Sequence, residues 1–126
     1  AGRLSLAQTT HLLQQARLYV GPDTAVTHLA AATGTPTIAL FGPSNPVKWG
    51  PWPMRWNKMQ SPWPRTGSVQ QGNTSLIQGQ GPCVPCLQEG CDHHLDSESR
   101  CLMELPVETV IAQATKLLSS PTQLNA

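Results

Sequence analysis

Three groups of residues carry the chemistry this sequence can offer. The first is Asp23, Thr24, Ala25 and His28. A short apolar run, Leu18-Tyr19-Val20, leads through Gly21-Pro22 into an Ala-rich stretch, so the group stands where a strand passes into a helix. A helix N-terminus presents unpaired N–H groups and a partial positive charge, which suits a phosphate. Thr24 adds a hydroxyl donor. Ala25 is small enough for close backbone approach, although Gly would allow a closer one. His28 lies one turn past Thr24 on the same helix face, so its ring can lean toward the same ligand. A plainer reading stands beside this one: Asp23 or Thr24 caps the helix and His28 packs locally, because Asp and Thr are common caps.

The second group is Lys48, Trp49, Trp52, Arg55, Trp56, Lys58, Trp63 and Arg65. Cations interleaved with aromatics can bind single-stranded nucleic acid by stacking and phosphate contacts. They also suit a membrane surface, where Trp prefers the interface and each cation contributes about 1 kcal/mol on anionic lipid. The plainer reading is a loop stiffened by Pro51, Pro53, Pro62 and Pro64, whose indoles cover the sheet or a neighbouring domain. Nucleic acid is not expected, since a pI near 7.9 falls short of the usual basic footprint.

The third group is Cys83, Cys86, Cys91 and Cys101, spaced x2, x4 and x9. Four thiolates can hold zinc tetrahedrally, with His93 and His94 as spare ligands. The spacing matches neither the common ferredoxin patterns nor the paired CxxC of a zinc ribbon. Two disulfides would require an oxidising compartment. The expectation is a structural role without a stable metal, with zinc as the alternative. Asn73-Thr74-Ser75 matches a glycosylation sequon, which matters only in a secreted eukaryotic chain.

The elements that must position these groups read as α-β-turn-α-β. Ser5 and Gln8 form a capping-box pair, and Leu6, Leu12, Leu13 and Ala16 follow at helical spacing. Leu18-Tyr19-Val20 reads as a short buried strand, and Gly21–Thr24 as a turn. Residues 24–33 read as a helix, with Gly34 at its C-terminal left-handed position. Thr37–Phe41 is a second buried strand, and Gly42–Pro46 a loop. This order is the grammar of a parallel sheet flanked by helices, with the two strands side by side. Ligands in such sheets bind beyond the carboxyl ends of the strands, where both candidate loops lie. Residues 49–64 read as irregular, Ser75-Leu76-Ile77 as a short strand, and residues 81–101 as loop-rich. Pro106 suits a helix start, and Val107, Val110, Ile111, Ala114, Leu117 and Leu118 mark one apolar face.

Composition narrows the classes. The chain has 126 residues with 8 Lys+Arg and 7 Asp+Glu, so that 12% are charged, about half the roughly 25% of ordinary domains. No apolar run approaches the ~20 residues of a membrane span. No signal peptide, heptad pattern or internal repeat is evident. The length allows one domain. Net charge is +1, but it is unevenly spread. No Asp or Glu occurs between Thr24 and Gln88, whereas Lys48, Arg55, Lys58 and Arg65 do. Six of the seven acids lie between Glu89 and Glu108. A block of one sign attracts an anionic partner at low salt.

The run Gly21-Pro22-Asp23-Thr24-Ala25-Val26-Thr27-His28-Leu29-Ala30-Ala31, continuing through Gly34-Thr35-Pro36-Thr37 to Leu40-Phe41-Gly42-Pro43, resembles the signature of the lipopolysaccharide heptosyltransferases, glycosyltransferase family 9. That signature is an Asp-Thr-Gly, a His-Leu-Ala, a small-residue helix, a Gly-x-Pro, a strand and a Phe-Gly-Pro-type loop. The Leu4-Ser5-Leu6 helix start upstream is similar to the family's. So are Cys83-x-x-Cys86, Cys91 and Cys101-Leu102 before Pro106-Val107-Glu108. One departure is Ala25, where the family usually has Gly.

The resemblance implies an α/β fold, part of the Rossmann-like C-terminal domain of a two-domain GT-B enzyme. Residues 1–119 would be part of the donor-binding domain and 120–126 a flexible tail. It implies that Asp23 and His28 face the sugar nucleotide, and that the Thr24 and Ala25 amides approach the pyrophosphate. Lys48, Trp49, Trp52, Arg55 and Trp56 would form an acceptor or membrane surface. The partners implied are an ADP-sugar donor, a lipopolysaccharide-core acceptor and a preceding N-terminal domain that holds the Asp base. No resident cofactor or metal is implied, and no Asp-x-Asp motif is present. The place implied is cytoplasmic, peripheral at the inner face of the inner membrane. A fragment of this kind is expected to be inactive alone, and an open sheet edge would invite dimerisation. The rival functions are an anionic lipid or glycan-binding module and a small Cys-cluster zinc protein.

Overall fold

A computed structural model describes residues 2–94 and 96–119. The elements are α1 (Leu6–Gln15), β1 (Tyr19–Gly21), α2 (Ala25–Ala32), β2 (Thr37–Phe41), α3 (Pro46–Trp49), β3 (Val69–Gln71), β4 (Thr74–Gln78), α4 (Arg100–Met103) and α5 (Val107–Leu118). The four strands form one sheet in the order β1-β2-β4-β3. β1, β2 and β4 run parallel, and β3 runs antiparallel to β4 at one edge. The tail expected at residues 120–126 lies outside the described residues.

β2 is short and largely apolar because both faces of the sheet are covered there, whereas β1 is not the buried strand expected, with Val20 exposed at the sheet's edge. Alternation along β2 and β4 sorts their side chains. Ala39, Phe41 and Leu76 pack with Trp63 on one face. Ile38 and Ile77 pack with Leu117 of α5 on the other, joined by Leu40, Val110 and Ala114. Tyr19 is in register with Thr37, and its hydroxyl reaches Thr27 of α2, so α2 lies on the Trp63 face. Gln113 of α5 bonds Ser75 Oγ at 2.7 Å and Gln70 Oε1 at 3.0 Å, which pins α5 on the opposite face.

Local signals act where they were read. Ser5 and Gln8 close the capping box, with Oγ accepting from Gln8 N–H at 3.1 Å and Oε1 accepting from Ser5 N–H at 2.8 Å. Gly34 adopts φ +86° directly after the Thr33 C-cap of α2. Pro106 stands at the N-cap of α5.

Other expectations change. Of the apolar residues on α1, Leu13 is buried while Leu6 and Leu12 are exposed. The apolar side of α5 divides. Val110, Ala114 and Leu117 pack on the sheet, whereas Val107, Ile111 and Leu118 face outward. Two short helices, α3 and α4, interrupt segments read as loop. β3 was also unforeseen. It pairs Gln71 with Thr74 across the two-residue turn Gly72-Asn73, with Gly72 at φ +57°, as a tight hairpin requires.

Candidate functional site

Because β1, β2 and β4 are parallel, their carboxyl ends at Gly21, Phe41 and Gln78 share one edge. Three segments meet there: the turn Pro22–Thr24 with the start of α2, the loop Gly42–Asn45, and the chain beyond Gly79. Gly79 N–H donates to Phe41 O at 2.8 Å, and Leu87 N–H donates to Pro43 O at 2.8 Å. The structure therefore brings the first and third residue groups to the same end of the sheet.

Asp23, Thr24, Ala25 and His28 are all exposed at this edge. Thr24 is the N-cap residue of α2, with φ −142° and ψ 164°, yet its side chain makes no capping bond. The plainer reading, in which Thr24 satisfies the helix end, does not hold. The hydroxyl turns instead to Thr27 Oγ1, 3.2 Å away. Thr27 is fully buried and donates its single hydroxyl proton to Pro22 O at 2.6 Å. Tyr19 Oη also lies 3.0 Å from Thr27 Oγ1. With Thr27's proton committed, Tyr19 and Thr24 must act as the donors to its lone pairs. In this arrangement the Thr24 hydroxyl is turned to Thr27 and not to the helix end. What the site offers an anion is the backbone: first-turn N–H groups without a side-chain cap, and the positive end of the helix.

Tyr19 and Thr27 were missed as supports of this turn. The signal available was spacing, because Thr24 and Thr27 are three apart and share a helix face. Asn45 was missed as well; its Oδ1 accepts from Val47 N–H at 3.1 Å and caps α3.

The Cys-rich segment seals the edge beside this turn. Cys101 Sγ and the Leu102 side chain lie against Gly42, and the Cys101 carbonyl lies against Gly79, so a side chain at either glycine would collide with them. Burial pushes the Cys101 thiol above its ordinary range, and the nearby Cys86 and Cys91 add to the shift. Arg100 N–H contacts Cys91 Sγ at 3.2 Å. Cys83, Cys86, Cys91 and Cys101 are free thiols. Among the described residues, no three His, Cys, Asp or Glu side chains are grouped to hold a metal ion.

The second group does not act as one unit. Trp63 is buried in the core, and its Nε1–H donates to Pro51 O at 2.8 Å. Trp49 and Trp52 are exposed, and Trp56 is half-buried with its Nε1–H donating to Gln60 O at 3.0 Å. Lys48 and Arg55 stand exposed beside them. Among the described residues, no helix is long and apolar enough to cross a membrane.

Comparison with known proteins gives this geometry a context. The profile of glycosyltransferase family 9 (heptosyltransferase) matches residues 1–78, which include α1 to β4 and the whole Gly21–His28 turn. The chain is 36% identical over 107 residues to lipopolysaccharide heptosyltransferase 1 of Pseudomonas aeruginosa, covering 84% of this chain and 25% of that protein. It is 34% identical over 118 residues to lipopolysaccharide heptosyltransferase 3 of Escherichia coli, covering 94% and 28%. It is 30% identical over 105 residues to lipooligosaccharide heptosyltransferase 2 of Campylobacter jejuni, covering 82% and 26%. The chain thus spans about a quarter of the length of these relatives. No solved structure matches it. An uncapped helix start at the carboxyl edge of a parallel sheet, inside a profile match that covers most of the chain, leads to one assignment: the chain belongs to glycosyltransferase family 9, the heptosyltransferases.

Proposed function

We propose that this chain is the donor-binding part of an inverting glycosyltransferase that moves heptose from ADP-heptose to a lipopolysaccharide-core acceptor. The observation that carries the reading is the start of α2, whose amides have no side-chain cap because the Thr24 hydroxyl is turned to Thr27. In this reading the Thr24 and Ala25 amides receive the pyrophosphate, while Asp23 and His28 face the sugar nucleotide. The Asp base belongs to an N-terminal domain. It deprotonates an acceptor hydroxyl, which attacks the anomeric carbon and inverts it. ADP leaves with its new charge held at the helix start, a stabilisation of the oxyanion-hole kind. The reading places the whole enzyme in the cytoplasm, peripheral at the inner face of the inner membrane, with no nucleic-acid partner.

The test is an amide-resolved NMR titration of the chain with ADP and ADP-heptose, with GDP and UDP as controls. Saturable shifts at Thr24, Ala25 and His28 with the adenine compounds alone are the expected result. Equal shifts with all four nucleotides, or shifts confined to other residues, overturn the site. In the whole enzyme, Asp23→Ala and His28→Ala are expected to reduce transfer sharply, and wild-type turnover in both overturns their roles.

A further inference from the structure

The exposed tryptophans sit on a pegged backbone. Between Trp49 and Met54, Gly50, Pro51 and Pro53 are buried, while Trp49 and Trp52 stand exposed and Met54 is partly exposed with its sulfur against Gly34. Two bonds fix this pattern. Trp63 Nε1–H donates to Pro51 O at 2.8 Å, and Met54 N–H donates to Asn73 Oδ1 at 3.0 Å. Outside, Trp49 is 50% exposed, Trp52 42%, Met54 39% and Met59 96%. Large apolar side chains held in water by a braced segment mark a contact surface.

Its charge has one sign. Lys48 Nζ lies 5.1 Å from the Trp49 ring centre, and Lys58 Nζ lies 5.1 Å from that of Trp56. Arg55 is exposed between them. No carboxylate occurs along the chain from Thr24 to Gln88. Ammonium groups resting on indole faces place positive charge at the level of the rings. This is the layering of a bilayer interface, with amphipathic rings among the headgroups and cations against anionic phosphates. α3 follows directly on the Gly42–Asn45 loop, so Trp49 stands one helical turn from the donor edge.

We propose that Trp49, Trp52, Met54 and Met59, with Lys48, Arg55 and Lys58, form a face that seats on an anionic lipid bilayer. The proposal rests on the peripheral placement above and names the surface that achieves it.

The test is co-sedimentation of the 126-residue chain with phosphatidylglycerol/phosphatidylethanolamine vesicles, and with phosphatidylcholine vesicles as the neutral control. The chain is expected to bind the anionic vesicles alone, and to release them when salt rises to about 0.5 M, where charges beyond contact are screened. Lys48→Glu with Lys58→Glu is expected to weaken binding by at least about tenfold, since two attractions become repulsions. Trp49→Ser with Trp52→Ser is expected to abolish the blue shift of emission on vesicles. Unchanged circular dichroism and an unchanged urea midpoint show that both variants fold. Absence of vesicle binding by the folded chain overturns the proposal. So does equal binding to neutral vesicles, or unchanged binding by both variants. Nucleotide titrations on the same variants keep the two readings apart. Intact adenine-nucleotide shifts without vesicle binding remove the lipid face and leave the donor site standing.

Discussion

Thr27 Oγ1 lies 2.6 Å from the carbonyl oxygen of Pro22, five residues earlier, and this bond shapes the turn that precedes α2. It uses the one proton Thr27 has, which orients the Tyr19 and Thr24 hydroxyls toward Thr27. Thr27→Val keeps the shape and removes the hydroxyl. Loss of a buried hub with three partners is expected to cost about 1–3 kcal/mol, read from the urea midpoint. It also frees the turn, so affinity for ADP should fall further than the loss of folded population accounts for. Thr27→Ser should restore both. A Thr27→Val protein with wild-type ADP affinity would show that the turn needs no such brace.

Ala25 and Thr24 separate backbone from side-chain recognition. If amides receive the pyrophosphate, Thr24→Val retains the relevant N–H and should bind ADP within about a few tenths of a kcal/mol of wild type, the scale of ordinary surface changes. Ala25→Gly removes a methyl from the approach path and should tighten binding, while Ala25→Val should weaken it. Calorimetric titration of the three variants checks the order Gly, Ala, Val. The reverse order would place the phosphate elsewhere.

The local code of this chain was legible wherever a residue acts on its near neighbours. The Ser5–Gln8 box, the left-handed Gly34 and the strand Thr37–Phe41 all follow from short-range chemistry, and so does the strand-to-helix turn at Gly21–Thr24. What escaped depends on partners far along the chain. Trp63 looks like its three sister tryptophans in sequence, yet Phe41 and Leu76 take it into the core. Val107 and Ile111 look like core residues, yet the sheet leaves them uncovered. Asp23, Thr24, Ala25 and His28 share one exposed turn as their spacing implies, but the direction of the Thr24 hydroxyl depends on a buried Thr27 that spacing alone does not mark as a hub.

Trp63 anchors the braced segment through Pro51. Trp63→Phe keeps most of the ring and loses the N–H bond to Pro51 O, a change expected to cost about 1–2 kcal/mol. Trp63→Ala should cost about 3–5 kcal/mol by opening a cavity beside Phe41 and Leu76. Urea unfolding of both variants checks the ratio. Equal small losses would mean that the segment packs without it.

Asn73 appears in the sequence as the acceptor of a glycosylation motif, but its amide is fully engaged. Nδ2 donates to Ala31 O at 3.0 Å and to Thr35 O at 2.9 Å, and Oδ1 accepts from Met54 N–H. One side chain thus joins α2, the loop before β2 and the tryptophan segment. Asn73→Ala leaves those buried groups unpaired, and a loss of about 2–4 kcal/mol is expected for two or more such groups. Asn73→Asp should fare no better, because a carboxylate cannot donate to the two carbonyls. Thermal unfolding of the pair tests whether donation or volume matters, and a stable Asp variant would contradict the donor role.

The thiols differ by burial, and their chemistry should differ with it. Cys83 is exposed, whereas Cys101 is held above the usual thiol range by burial, with Cys86 and Cys91 adding to the effect. Alkylation proceeds through the thiolate. At mildly alkaline pH, mass-resolved iodoacetamide labelling of the folded chain should therefore modify Cys83 first and Cys101 last. The sign of the stability effect follows. In the unfolded chain Cys101 ionises at its ordinary value, so from about pH 8.5 upward the unfolded state loses a proton that the native state keeps. Cys101 therefore destabilises the fold as pH rises through the interval between the unfolded and the raised native value, and has no such effect below it. Cys101→Ala should flatten the alkaline limb of the stability profile, although its missing sulfur contact at Gly42 lowers stability at every pH. An alkaline limb unchanged in Cys101→Ala would assign the effect to other groups.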